Sequence, residues 1–117
     1  TNDTLNESNE TLTITLATPT NSTLGTNVSH TYTITDDDPS PTVQFNTTTT
    51  TNSEAILSAT IPVSLSTASG QTVTIDYSVT GGTATSGADF TLAAGTLTFP
   101  AGTTSQNISL SVNNDAL

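Results

Sequence analysis

Ten carboxylates carry nearly all the charge in this 117-residue chain, which has no lysine or arginine and a formal charge of −10 with its single histidine neutral. Three of them are consecutive, Asp36-Asp37-Asp38, and run directly into Pro39-Ser40-Pro41. Three more, Asp3, Glu7 and Glu10, stand at spacings of four and three before an alternating Leu/Thr run. No protein cation can neutralise either cluster, so the carboxylates must raise their own pKa values or recruit a metal. A hard cation with oxygen ligands does the latter, and Ca2+ accepts six to eight of them. A solvated charged loop is the alternative at both places. Neither cluster fits a twelve-residue EF-hand loop, because the central glycine and the alternating ligands are missing. A calcium site here has to be assembled from several loops at one end of the fold.

Other chemistry finds little support. His30 is the only imidazole, and it stands among Ser and Thr with no nucleophile motif around it. Serines are plentiful, yet no G-x-S-x-G elbow occurs. Glu7 and Glu10 are a carboxylate pair of the kind that cleaves glycosides, but aromatic platforms for a sugar are absent. Gly81-Gly82 with Gly87 lacks the strand-to-helix context of a phosphate loop. An enzyme is not expected.

The missing residue types exclude more. Without cations, and with five aromatic rings, the chain cannot neutralise phosphates or stack bases, so neither nucleic acid nor an anionic membrane is a partner. Zero cysteines exclude thiol nucleophiles, zinc knuckles and disulfides. No stretch approaches the ~20 apolar residues of a membrane helix, and the polar first residues read as part of a mature, longer protein. The charged fraction is 9%, while Ser and Thr together account for 44 of 117 residues, a composition suited to strands rather than to an acidic disordered tail.

Period-two alternation marks the elements that must position the acids. Leu12, Ile14 and Leu16 alternate with Thr, followed by Tyr32 and Ile34, then Val43 and Phe45. The longest run is Leu57, Ala59, Ile61, Val63 and Leu65; Val73 to Val79, Leu97 and Phe99, and Ile108 to Val112 complete the set. Seven strands with one apolar face each predict an all-β, two-sheet antiparallel sandwich. Gly, Pro, Asn and Ser clusters separate the strands, and Pro62 inside the longest run predicts an edge position or a bulge. Thr47 to Thr51 is low in complexity and predicts a surface segment. Seven N-x-S/T sequons begin at Asn2, Asn6, Asn9, Asn21, Asn27, Asn46 and Asn107, a number that a Thr- and Asn-rich chain also generates by chance. Asn2-Asp3-Thr4-Leu5 returns 112 residues later as Asn114-Asp115-Ala116-Leu117, which suggests a repeat.

Four longer segments carry a family resemblance. Gly82-Thr83-Ala84-Thr85-Ser86-Gly87-Ala88-Asp89-Phe90 resembles the GTAT-x-G-x-D-[YF] signature of Calx-beta domains. Gly95 to Ile108 is similar to the family's GTLTF-x-PG-x-TS-x-x-I segment, with Ala101 inserted between Pro and Gly and Gln106 in the place of a basic residue. Asn2-Asp3 to Glu7 and Glu10-Thr11-Leu12 resembles the D-D-x-x-x-E-x-x-E-T-F loop, and the strand ending in Asp36-Asp37-Asp38 resembles the terminal D-D-D. The order is rotated, since the acidic loop and the triplet come first and the GTAT and GTLTF segments follow.

The resemblance implies a seven-stranded immunoglobulin-like β-sandwich whose boundaries are shifted in this chain. Residues 1–38 would be the C-terminal third of one repeat, 39–41 a linker, and 42–117 the N-terminal two-thirds of the next. It also implies calcium ligands at Asp3, Glu7, Glu10, Asp36, Asp37, Asp38, Glu54, Asp89 and Asp115. Of the ten acids only Asp76, mid-strand and facing outward, is left over. The expected function is a calcium-stabilised structural repeat of an extracellular or cell-surface adhesin, matrix protein or filament, with calcium stiffening the junctions. Its partners would be neighbouring repeats of the same chain or identical subunits, and any adhesive target would lie elsewhere in the full protein. The alternatives are a calcium-sensing regulatory module and a subunit that exchanges strands with its copies.

Overall fold

Threonine alternating with Leu, Ile and Tyr builds the first two strands, β1 (Glu10–Thr15) and β2 (Ser29–Ile34). They pair antiparallel and only with each other in the computed structural model, which describes residues 1–115. The register sorts their side chains by chemistry. Leu12 stands opposite Tyr32, Ile14 opposite His30 and Glu10 opposite Ile34 on one face; Thr13 opposite Thr31 and Thr15 opposite Ser29 form the other. Facing hydroxyls lie 3.5 Å apart at Thr13–Thr31 and 3.4 Å at Thr15–Ser29, as cross-strand partners should.

The remaining strands are β3 (Val43–Phe45), β4 (Ser58–Leu65), β5 (Val73–Tyr77), β6 (Phe90–Thr91), β7 (Gly95–Phe99) and β8 (Ser105–Val112). They form one sheet in the order β3-β4-β8-β6 and a second, two-stranded sheet of β5 and β7, antiparallel throughout. The seven alternating segments are all strands, and the all-β antiparallel reading holds. The two-residue β6 is additional, too short for alternation to reveal. The whole measures 93 × 23 × 19 Å, because the β1–β2 ribbon projects from the sandwich.

Inward positions of the long ladder β4–β8 meet those of β5 and β7. Val63, Leu65, Phe99 and Ile108 are the buried apolar core, with Ile61, Val73, Tyr77 and Leu97 packed against it. Phe99 is fully enclosed at 0% exposure. The Tyr77 ring lies over Gly95, its partner in the β5–β7 ladder, where a Cβ would come within 2.8 Å of the phenol oxygen.

Pro62 departs from expectation: β4 lies between β3 and β8, at neither edge of its sheet. The reason is that β3 stops at Phe45. Asn46 N donates to Pro62 O at 3.2 Å, and since a residue's N and O face the same side of a strand, the missing N–H points to where β3 has already ended. Asp76 is exposed on the outer face of β5 as expected, accepting from Thr96 Oγ1 at 2.6 Å. Thr47 to Thr51 are exposed, as expected of a surface segment. Ala116 and Leu117, which end the repeated tetrapeptide, lie outside the described residues.

Truncating Phe99→Ala is expected to destabilise the fold by about 3–5 kcal/mol, whereas Thr98→Ala, exposed on the same strand, should stay within about 0.5 kcal/mol. Urea unfolding followed by circular dichroism checks both.

Candidate metal centre

Glu10 and Ile34 are cross-strand partners, so the loop that precedes β1 and the triplet that follows β2 leave the ribbon at the same end. They enclose a cleft of about 330 Å³ lined by Asp3, Glu7, Glu10, Asp36, Asp37 and Asp38. Two asparagines brace it. Asn6 Nδ2 donates to Asp36 Oδ2 at 3.0 Å and to Asp38 O at 3.2 Å, and Asp36 N donates to Asn9 Oδ1 at 2.9 Å. Asp3 Oδ1 accepts from Leu5 N at 2.9 Å and turns the loop locally. Neutral amides thus do here what no cation of the chain can.

Sequence reasoning treats Asn6 and Asn9 only as sequons. Their bracing role could have been suspected from their interleaving with Glu7 and Glu10. Asn6 is half-buried and its side-chain nitrogen is committed to Asp36 and Asp38, a poor setting for a glycan.

The donors are all carboxylate, carbonyl and amide oxygens, the set that hard divalent cations prefer. Among the described residues, however, no three acidic or histidine side chains converge closely enough to share an ion. The cleft brings together the right chemistry in an open arrangement. Its electrostatic cost is visible at half-buried Asp38, whose carboxyl is raised above the ordinary range, first by desolvation and then by repulsion from Asp37, Asp36 and Asp3.

The other three acids lie elsewhere. Glu54 sits in a single 3-10 turn, Glu54–Ile56, capped by Ser53, and Leu57 at φ 63° turns the chain into β4. Asp89 closes its loop by accepting from Thr85 N at 2.6 Å. Successive amides at the end of β8 tie these segments together: Val112 N donates to Leu57 O and Asn113 N to Asp89 O, both at 2.9 Å. Asn113 Nδ2 adds a bond to Gly87 O at 3.0 Å, and Asp115 follows two residues on. His30 takes no part in either group, being exposed on β2 opposite Ile14. The structure therefore divides the nine acids into two groups, six in the cleft and three beyond the start of β4 and the end of β8, separated by the length of the sandwich.

The cleft does not hang free, because its loop is fastened to the turn between β4 and β5. Asn6 O accepts from Gly70 N at 3.0 Å and from Ser69 Oγ at 3.3 Å, and Asn6 forms a parallel bridge with Ser69. Ser69 is 2% exposed and completes its bonding with Gln71 N and Gly102 N. A Cβ at Gly70 would lie 2.7 Å from Glu7 Cγ and 3.3 Å from Asn6 O, so the Glu7 side chain would have to move aside. Gly70→Ala is therefore expected to push the Glu7 loop off the turn at a cost of about 1–3 kcal/mol, seen as faster amide exchange at Gly70 with the Phe99 core still protected. The Asp38 shift has a definite sign. A carboxyl raised in the folded state contributes stability that is full below its unfolded value and is lost as pH rises through the folded one. The metal-free protein should lose this contribution as pH rises upward from the ordinary carboxyl range, and Asp38→Asn should reduce that loss in thermal melts.

The order of these segments along the chain agrees with the comparison to known families. The Calx-beta domain model matches twice, over residues 1–38 and 36–117. Comparison with curated proteins gives no significant match. Together the two matches span the whole chain, which belongs to the Calx-beta family of calcium-binding, immunoglobulin-like β domains.

Proposed function

We propose that this chain is a calcium-stabilised structural repeat of a long extracellular or cell-surface protein, in which the ion stiffens the junction between successive units. The observation that carries this reading is the seat of the acidic cleft. Its six carboxylates line a cleft whose loop Asn6 fastens to the Ser69-Gly70 turn, and on our reading that turn belongs to the next unit. An ion bound there is coupled directly to the angle between units. We read the units as 1–38 and 42–117 with 39–41 as linker, and the two family matches, over 1–38 and 36–117, support a division near that point. Pro39 and Pro41 restrict that linker further. The family is one of non-catalytic binding and structural domains, and no helix among the described residues is long and apolar enough to cross a membrane.

Asp3, Glu7, Glu10, Asp36, Asp37 and Asp38 would hold the ion at this junction. Glu54, Asp89 and Asp115 would contribute at the opposite end of the 42–117 unit, where the next acidic loop arrives in an array. The neutralising charge supplies what the chain lacks, and the Asn6 and Asn9 bonds keep the carboxylates close enough for small loop movements to complete coordination. An extracellular module needs an affinity of only about 10⁻⁴ to 10⁻³ M.

Thermal unfolding of the chain against calcium concentration tests the reading. The midpoint should rise by the equivalent of about 2.7 kcal/mol at a hundredfold excess over Kd, because the ion binds only the folded state. Glu7→Gln with Asp36→Asn should remove most of the rise while magnesium reproduces little of it. A midpoint indifferent to calcium would refute the proposal.

A further inference from the structure

Two apolar surfaces in this chain lack a cover, and they match. The first is the inner face of the β1–β2 ribbon. Leu12, Ile14, Tyr32 and Ile34 share it and are 42%, 55%, 57% and 46% exposed, while the opposite face is hydroxyl. Two strands with one apolar face are marginal in water on their own.

The second surface is in the sandwich. The sheet β3-β4-β8-β6 is covered by only two strands, so Phe45 is 54% and Ile75 39% exposed. A groove of about 400 Å³ opens between β3 and β5, floored by Val63 and Ile108 and walled by Phe45, Ile75, Tyr77 and Leu97. A second apolar hollow, of about 380 Å³, continues past Phe45 over Ile61 and Leu110. On this side β5 has a free edge, since among the described residues its only ladder is with β7.

We propose that the β1–β2 ribbon of a second copy of this chain fills that groove, adding β1 antiparallel to the free edge of β5 and converting the two-stranded sheet into a four-stranded one. Edge addition supplies the main-chain hydrogen bonds, and the alternate apolar side chains of the ribbon supply the filling. The direction is consistent. β5 runs from the Ser69-Gly70 turn toward the Asp89 loop, and β1 runs away from the acidic cleft. Antiparallel docking therefore sets the donor's cleft at the acceptor's Glu54 and Asp89 end. That contact is heterologous and leaves one ribbon and one groove open, so it propagates head to tail.

The family matches place the ribbon in one piece, 1–38, and the groove in the other, 36–117, so each copy carries a donor half and an acceptor half. Closure within one chain is opposed by the fastening already described. The ribbon is tethered by Asn6 to Ser69 and Gly70, at the end of β5 opposite to where its cleft would have to sit, and folding back would break those bonds. The inference concerns apolar docking and goes beyond the calcium reading.

The test is complementation in chelator. The wild-type chain should pass from monomer to higher species with rising concentration in analytical ultracentrifugation. A donor-defective Leu12→Asp/Ile14→Asp variant and an acceptor-defective Ile75→Asp variant should each stay monomeric, yet form a one-to-one complex when mixed. The chain has no cysteine of its own, so Thr13→Cys/Thr74→Cys, both outward-facing, adds a readout that leaves the core intact. A short bismaleimide should then give a ladder of multimers on a denaturing gel. A concentration-independent monomer, or cross-links confined to single chains, overturns the proposal. Assembly in chelator with no calcium-dependent midpoint would leave it standing and refute the calcium reading alone.

Discussion

A sandwich interior stays dry only where both sheets extend over it, and that condition governs this molecule. β4 and β8 are each eight residues long, but β5 and β7 cover only part of them. Where cover exists, Phe99, Val63, Leu65 and Ile108 are buried; where it stops, Phe45 and Ile75 meet water. The same deficit explains the ribbon, whose strands have the alternation of sandwich strands and no opposing sheet. Both exposed surfaces go with a chain in which the ribbon strands form a sheet of their own, apart from the sandwich.

Charge imposes the second constraint. Ten carboxylates without one lysine or arginine cannot be balanced internally. The fold responds by separating them into two groups and by using Asn6, Asn9 and backbone amides as the available donors. Those bonds hold carboxylates near one another at an electrostatic cost, which appears at Asp38. A charge arrangement of that kind is sensitive to protons and to divalent ions, and it is fastened to the Ser69-Gly70 turn.

Much of this was legible in the sequence. Alternation located every strand longer than two residues, because Leu, Ile and Val separated by Thr have one reading in a chain free of helical spacing. The acidic loop and the Asp36 to Asp38 triplet were identifiable as partners through charge and family resemblance. Ser69 and Gly70 were not. Their role depends on a long-range contact with Asn6, and a Ser-Gly pair between two strands reads as an ordinary turn. Pro62 misled for a related reason, since a proline reports a missing donor without saying which neighbour has run out. The division of the nine acids between two ends was implied by the rotated order, but their open arrangement is a matter of loop geometry that spacing does not encode.

The small core has a thermal consequence. With four buried apolar side chains, of which Phe99 alone is fully enclosed, unfolding exposes little apolar surface, so its heat-capacity increment is expected to be small for a chain of this length. The stability curve is then shallow, with little curvature between cold and warm conditions. In such a protein temperature is a weak regulator of folding, and the composition of the surrounding solution is a strong one.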